Sequence, residues 1–287
     1  MSVTVNSDAG SEPVAMRDWL GTSWKMNKTV REAVTYADDL VAWAADSDVD
    51  ATVCIFPAFT ALSAVAQALA RSTSPVPIQV GAQNMHWADA GSYTGEISPL
   101  MVRDAGAHAV EIGHFERRAS FGETDATVNR KVKAALRHGL VALVCVGDSS
   151  SVRDFGVVNE FVGMQLKVAL SGVSAASLQE VIVAYEPGWA IGAGGVGAST
   201  KEVALVHGHL RSVLVDLYGE APAREVRIVY GGSVTRENVP DYAAVSDVDG
   251  LFVGRAAWDV SEFVNIIEAF CAARGPRSAP SQEVAVR

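Results

Sequence analysis

The 287-residue sequence is short of cysteine, of positive charge and of long apolar runs. Its three cysteines, Cys54, Cys145 and Cys271, are far apart and form no C-x-x-C pair, so neither a disulfide framework nor a zinc site is supported. Its 23 basic residues are outnumbered by 33 acidic ones, and the net charge of −10 disfavours nucleic acid or an anionic membrane as a partner. Because no apolar run reaches about 18 residues, we expect no membrane span.

What the chain does contain is a large apolar fraction, 49%, beside 20% charged residues, which is typical of a folded protein with a sizeable core. Residues 1–17 and 275–287 are small and polar, and we expect both to be flexible ends. No linker rich in Pro, Gly or Ser divides residues 18–274, which we expect to form one domain. The first residues do not resemble a secretion signal, so a cytoplasmic location is expected.

Short apolar runs alternate with helical patterns along this domain. Several runs are apolar almost throughout, which is typical of strands that are buried on both faces. The predicted strands are Trp19–Trp24, Ala51–Phe56, Ile78–Ala82, Ala107–Ile112, Leu140–Val146, Val181–Tyr185, Arg227–Tyr230 and Gly250–Val253. Helical periodicity marks 29–45 and 125–138, and Ser199 begins a capping box for a helix that runs to Tyr218.

The number of units decides between two α/β architectures. Eight strand–helix units in about 250 residues match the size of a (β/α)8 barrel. A doubly wound sheet shows the same alternation but usually needs fewer strands. The sequence therefore predicts an α/β protein that is a single (β/α)8 barrel of eight parallel strands.

The active site of such a barrel lies at the carboxyl ends of its strands. Lys25 follows the first strand, His114 the fourth and Glu186 the sixth, and glycine-rich segments at 231–233 and 254–255 follow the last two. Each feature alone has a structural interpretation, as a surface charge, a structural histidine or a turn. Their occurrence at one end of different strands predicts acid–base chemistry on an anionic compound.

These motifs, in this order, resemble those of the triosephosphate isomerase family over about residues 19–273. The resemblance implies that Glu186 is the base that takes a proton from carbon, and that His114 is the neutral imidazole that polarises the carbonyl. It implies that Lys25 supplies fixed positive charge and that Glu116 is its ion-pair partner. The matching segments include Trp24-Lys25-Met26-Asn27, Glu111-Ile112-Gly113-His114, Glu116-Arg117-Arg118, Tyr185-Glu186-Pro187, Trp189-Ala190-Ile191-Gly192 and Tyr230-Gly231-Gly232-Ser233.

The resemblance also implies how substrate and partner bind. Residues 187–197 match the family's mobile lid, and the loop around Thr94 matches the loop that forms a homodimer. No metal and no organic cofactor is implied. The backbone N–H groups implied to hold the substrate's phosphate belong to Gly192, Ser233, Gly254 and Arg255.

Several positions depart from the family's usual residues. Ser23 stands where Asn is usual, Phe115 where Ser, Gly188 where Val, Asp148 where Glu, and Arg255 where Gly. The smaller Ser23 would leave room for one extra hydroxymethyl group, which its hydroxyl could bind. The favoured reaction is therefore conversion of L-erythrulose 1-phosphate to D-erythrulose 4-phosphate, as in a similar branch of the family. The alternative is a triosephosphate isomerase in which these positions have drifted.

Two further interpretations remain open. A phosphate-binding aldolase or lyase would need a Schiff-base lysine, and Lys25 lies just beyond a strand. A sugar-phosphate sensor would keep the pocket without the reaction. We also expect Gly188 and Gly195 to make the open lid more flexible.

Overall fold

The computed structural model describes residues 17–191 and 195–275, which form a closed barrel of eight parallel strands in chain order. Each strand pairs with the next, and the last pairs with the first, as in Trp19 opposite Gly250. The predicted (β/α)8 barrel is confirmed. The strands are β1 (Asp18–Ser23), β2 (Ala51–Phe56), β3 (Ile78–Ala82), β4 (Ala109–Ile112), β5 (Val141–Val146), β6 (Val181–Tyr185), β7 (Arg227–Tyr230) and β8 (Gly250–Val253).

At least one helix follows every strand and covers the outside of the barrel. The capping boxes at Thr29 and Ser199 begin α1 and α8, because each side chain accepts from the N–H three residues on. The helices are α1 (Val30–Ala45), α2 (Phe59–Leu69), α3 (Pro99–Asp104), α4 (Phe115–Ser120), α5 (Asp125–Arg137), α6 (Ser150–Asp154), α7 (Val158–Ala169), α8 (Thr200–Tyr218), α9 (Glu220–Arg224), α10 (Val239–Ala243) and α11 (Val260–Arg274). Short 3-10 turns occupy Ala175–Glu180, Gly188–Ala190 and Arg255–Trp258.

Two strands begin later than their apolar runs predict. The runs begin at Ala107 and Leu140, but the N–H of each donates to the preceding helical turn, to Val102 and Ala135 respectively. Both residues are buried, but they belong to the turn that connects the preceding helix to the strand and not to the strand itself. Hydrophobicity alone could not separate the two.

The barrel interior is filled below the carboxyl ends of the strands. The rings of Trp19, Phe56 and Phe252 meet there, with centroids 5.5 to 6.3 Å apart. Gly21 leaves the space that Trp19 occupies, since a Cβ at Gly21 would lie 2.3 Å from the Trp19 ring. The packed interior forms a floor, and any site must lie above it.

The chain ends, the hydropathy of the helices and the cysteines bear on three predictions from the sequence. Apart from Arg17 and Gly275, the predicted flexible ends 1–17 and 275–287 lie outside the described residues, so that prediction remains untested. Over the described parts of the chain, no helix has the length and hydropathy needed to cross a bilayer. All three cysteines are free, with Cys54 and Cys145 buried.

Candidate active site

A cavity of about 380 Å³ opens at the carboxyl ends of the strands. It brings together residues that are far apart in the sequence, from the loops after β1, β4, β6, β7 and β8. Of the residues singled out from the sequence, Gly192 lies outside the described residues. The other predicted catalytic and substrate-binding residues all line this cavity: Ser23, Lys25, His114, Glu116, Glu186, Ser233, Gly254 and Arg255.

Glu186 follows β6 directly, and its side chain is 2% exposed. Its Oε2 accepts a hydrogen bond from the Phe115 backbone N–H at 3.1 Å, and its Oε1 lies 3.5 Å from His114 Nε2. Burial raises the pKa of Glu186 to about 7, although the Phe115 N–H, the Lys25 charge and a hydrogen bond with Cys145 lower it. A carboxyl with this pKa can both take and return a proton near neutral pH.

His114 immediately precedes α4, and its ring is held in one tautomer. Its Nδ1 accepts a hydrogen bond from the Glu116 backbone N–H at 3.2 Å. Because Nδ1 accepts, the neutral ring carries its proton on Nε2, the nitrogen that faces Glu186. Burial, followed by the positive charges of Lys25 and Arg117, lowers the pKa of His114 to about 3. The ring is therefore a neutral hydrogen-bond donor at neutral pH.

Lys25 lies in a constrained turn after β1. Its φ of 53° is in the left-handed region that non-glycine residues rarely occupy. Gln83 holds the turn by donating to the Lys25 carbonyl at 3.0 Å and to the Phe56 carbonyl at 2.8 Å. The Lys25 ammonium donates to Glu116 Oε1 at 2.7 Å. The strained backbone of Lys25 and its fixed ammonium together indicate that the position of this charge matters to function.

Glu111 is a buried carboxyl beside the site that the sequence analysis did not assign. It lies on β4 two residues after Ala109, which belongs to the interior cluster, so its side chain faces the barrel interior as well. Its side chain is 3% exposed, and its Oε1 lies 3.8 Å from His114 Nε2. The one signal in the sequence is a charged residue within an apolar strand.

The loops after β7 and β8 form the opposite wall of the cavity. Asn238 holds the first of them by donating to the Ser233 carbonyl at 3.2 Å and by accepting from the Thr235 N–H at 2.8 Å. Gly254 begins the turn Arg255–Trp258, and the Arg255 side chain is exposed. Among the described residues Arg255 forms no ion pair, and Asp259 instead caps α11 by accepting from the N–H groups of residues 261 and 262.

Both ends of the predicted lid are anchored. At its start, Asp148 accepts hydrogen bonds from the Tyr185 hydroxyl at 2.9 Å and the Trp189 indole at 3.0 Å. At its end, the Ala198 N–H donates to the Tyr230 hydroxyl at 2.9 Å. Asp148, two residues after the end of β5, thus links that strand to the first turn of the lid.

Phe115 and Gly188, two of the departures from the family, are in direct contact. A Cβ at Gly188 would lie 2.2 Å from the Phe115 ring, so the ring takes the space that a side chain at 188 would need. Nothing in the sequence links the two positions. In the structure the large Phe115 in the loop after β4 compensates in volume for the missing side chain of Gly188 at the start of the lid.

We expect Gly188→Val alone to destabilise the protein by about 1–3 kcal/mol, because the added side chain overpacks against Phe115. Adding Phe115→Ser should recover most of that loss, since it vacates the space. Urea unfolding of the two single variants and the double variant measures the coupling. If the losses in unfolding free energy of the two single variants add up to that of the double variant, the contact between Phe115 and residue 188 does not cause the destabilisation.

One group of side chains has a spacing that suits a metal ion. Glu111, His114 and Glu186 each offer a ligand atom, and these atoms lie within 4.8 Å of one another. Burial is the largest cause that raises the pKa of both carboxyls, whereas a metal ligand must be deprotonated. The expectation that no metal takes part is therefore kept as a prediction.

Comparison with known proteins agrees with this arrangement. The family model described as triosephosphate isomerase matches residues 18–270. The chain is 42% identical over 270 residues, 94% of this chain and 98% of the relative, to an L-erythrulose-1-phosphate isomerase of Rhizobium etli. Relatives of the same name are 44% identical: one from Brucella abortus over 89% of this chain and 97% of the relative, and one from Mycolicibacterium smegmatis over 87% and 92%. The chain belongs to the triosephosphate isomerase family.

Proposed function

We propose that this protein isomerises L-erythrulose 1-phosphate to D-erythrulose 4-phosphate through an enediolate. The observation that carries the chemistry is the 3.5 Å separation of Glu186 Oε1 and His114 Nε2 in one small cavity. The four-carbon substrate is supported by the names of the relatives and by the small Ser23 beside the reacting groups.

The proposed reaction moves one proton between carbons 2 and 3 of the substrate. The Glu186 carboxylate takes the proton from carbon 3, and the electron pair of that C–H bond forms the C2–C3 double bond of the enediolate. The charge that develops on oxygen 2 is stabilised by the Nε2–H of His114 and by the Lys25 ammonium. His114 then transfers a proton between the two oxygens, and Glu186 returns its proton to carbon 2. The carbonyl is left on the neighbouring carbon.

Comparison of kcat/KM on L-erythrulose 1-phosphate and on D-glyceraldehyde 3-phosphate tests the substrate. We expect the four-carbon compound to be favoured by at least tenfold, because the smaller Ser23 leaves room for its extra group. A higher kcat/KM on glyceraldehyde 3-phosphate would instead identify a triosephosphate isomerase. Cleavage of either compound into smaller products would identify a lyase.

The activity should depend on pH through Glu186. Because the base must be deprotonated and its pKa is raised to about 7, kcat/KM should fall tenfold per unit as pH drops below 7. His114, with a pKa of about 3, should contribute nothing in this range. The substrate's phosphate also titrates, near pH 6, and its own titration by phosphorus NMR separates the two contributions. A flat profile between pH 5 and 8 would contradict this role of Glu186.

We propose that the phosphate binds against the loops after β7 and β8. The backbone N–H groups of Ser233, Gly254 and Arg255, together with Gly192 of the lid, would hold it. If the exposed Arg255 side chain also pairs with the phosphate, Arg255→Gly should raise KM about threefold to tenfold with little change in kcat. An unchanged KM would assign phosphate binding to the backbone alone.

We further propose that the chain forms a homodimer through the loop around Thr94. Residues 91–96 are all exposed, including Tyr93 at 48%, and Met26 beside Lys25 is 95% exposed. Apolar side chains exposed to this extent are typical of contact surfaces. Sedimentation should give a dimer, Thr94→Arg should give a monomer of reduced activity, and Phe155→Arg on another exposed loop should leave the dimer intact. A fully active wild-type monomer would contradict this proposal.

A cytoplasmic location fits the three unpaired cysteines, because thiols persist in a reducing compartment. Fractionation of cells that produce the protein tests this proposal, and recovery of the active enzyme outside the cytoplasm would contradict it.

A further inference from the structure

We propose that Glu111, together with Ser23, forms the subsite that binds the terminal hydroxymethyl group of a four-carbon substrate and so determines specificity for it. The proposal rests on the proposed function, because it names what holds the fourth carbon of that substrate. It concerns a carboxyl that neither the proton transfer nor the phosphate site uses.

The surroundings of Glu111 compensate only in part for its burial, through a hydrogen bond with Ser23 and the charge of Lys25. Its Oε2 is buried and has no hydrogen-bond partner. Within 17–191 and 195–275, no lysine or arginine lies within ion-pair distance of it, and the nearest basic group is the His114 ring at 3.8 Å. A buried, unpaired carboxyl oxygen destabilises a fold unless a ligand satisfies it. Its position 3.8 Å from the reacting imidazole points to a substrate contact.

The position of Glu111 matches the end of the substrate that is remote from the phosphate. In a closed barrel of eight strands, β4 lies opposite β8. A substrate whose phosphate lies at the β7 and β8 loops, and whose reacting carbons lie between Glu186 and His114, therefore extends its last carbon towards β4. Ser23 lines the cavity at the end of β1, whereas Glu111 lies just behind the lining, 3.8 Å from His114 and within hydrogen-bonding reach of Ser23.

The chemistry of Glu111 suits a hydroxyl group. Burial and then the negative charge of Glu186 raise its pKa well above the usual value, while a hydrogen bond with Ser23 lowers it. A protonated carboxyl offers one donor and an acceptor, as the hydroxyl does, and adds no second negative charge beside the enediolate. A three-carbon substrate leaves the Glu111 oxygen unpaired, so the site should discriminate against it.

The test is the ratio of kcat/KM for L-erythrulose 1-phosphate to that for D-glyceraldehyde 3-phosphate. Glu111→Val should lower this ratio by about 30-fold or more, because it removes both hydrogen-bonding atoms. Glu111→Gln keeps a donor and an acceptor and should stay within about tenfold of the wild type. Ser23→Ala, a second route if Glu111→Val does not fold, should lower the ratio about tenfold. The Tm of Glu111→Val should equal or exceed that of the wild type.

Glu123→Gln is the matched control, since Glu123 is also buried but is paired with Arg117 at 2.8 Å and Lys131 at 3.0 Å. It should lower Tm and leave the ratio unchanged. If Glu111→Val and Ser23→Ala reduce both activities equally, Glu111 only supports the structure and the proposal is overturned. A wild-type enzyme inactive on L-erythrulose 1-phosphate overturns the proposed function itself.

Discussion

Glu186→Gln is expected to lower kcat by about 10³- to 10⁴-fold, because the amide cannot take a proton from carbon. The dissociation constant for L-erythrulose 1-phosphate should change little, since glutamine has the same size and keeps the acceptor for the Phe115 N–H. Stopped-flow assays give kcat, and calorimetry with the nearly inactive variant gives the dissociation constant. Glu186→Asp should also be strongly impaired, because its carboxylate is withdrawn by one methylene.

The same substitution should stabilise the fold above neutral pH. Folding raises the pKa of Glu186 from 4.5 to about 7, so the native state holds its proton more tightly than the unfolded chain. Burial of this carboxyl therefore lowers the free energy of unfolding progressively as pH rises from 4.5 to 7. Above pH 7 the loss stays constant. The Tm difference between Glu186→Gln and wild type should grow over this window. A variant that is less stable than wild type at pH 8 would contradict the raised pKa.

Lys25→Met is expected to lower kcat/KM by about 10²- to 10³-fold, because it removes the fixed positive charge beside the developing enediolate. Methionine preserves the length of the side chain, and the Glu116 side chain that loses its partner is 46% exposed, so the fold should be retained. Steady-state kinetics and circular dichroism measure the two effects.

Glu116→Gln is the control for Lys25, since it keeps the ammonium and weakens only the 2.7 Å ion pair. Its loss should be below about tenfold. Near wild-type activity of Lys25→Met would exclude the electrostatic role. If Lys25 instead formed a Schiff base, borohydride with substrate would add mass to the wild-type chain, and we expect no such addition.

The fold could be predicted because strands buried on both faces are read directly from continuous apolar runs. Several of the eight strands are such runs, as in Val141–Val146, and the alternation of eight strands with helical patterns predicts the barrel. The bounds of three strands differ from the prediction. Strand β1 begins and ends one residue earlier, and β4 and β5 begin later, because Ala107 and Leu140 are as buried as strand residues although their N–H groups belong to the preceding turns.

The candidate site was predictable where a polar residue directly follows a strand. Glu186 follows β6 directly, Lys25 and His114 come two residues after β1 and β4, and the barrel's closure brings their loops to one cavity. Glu111 was not predictable in this way, because it lies within β4 and its distance from the reacting groups depends on which face of the strand it occupies. The contact between Phe115 and Gly188 joins residues 73 positions apart, so no local pattern could predict it.

Conversion of L-erythrulose 1-phosphate in D₂O, followed by NMR, tests most directly the claim that Glu186 moves a proton between neighbouring carbons. We predict that D-erythrulose 4-phosphate forms with solvent deuterium on its carbon 3, which was carbon 2 of the substrate, whenever the proton on Glu186 exchanges with solvent before it is returned. We also predict that Glu186→Gln forms almost no product. Product formed by Glu186→Gln at the wild-type rate, or no product from the wild-type enzyme, would contradict the claim.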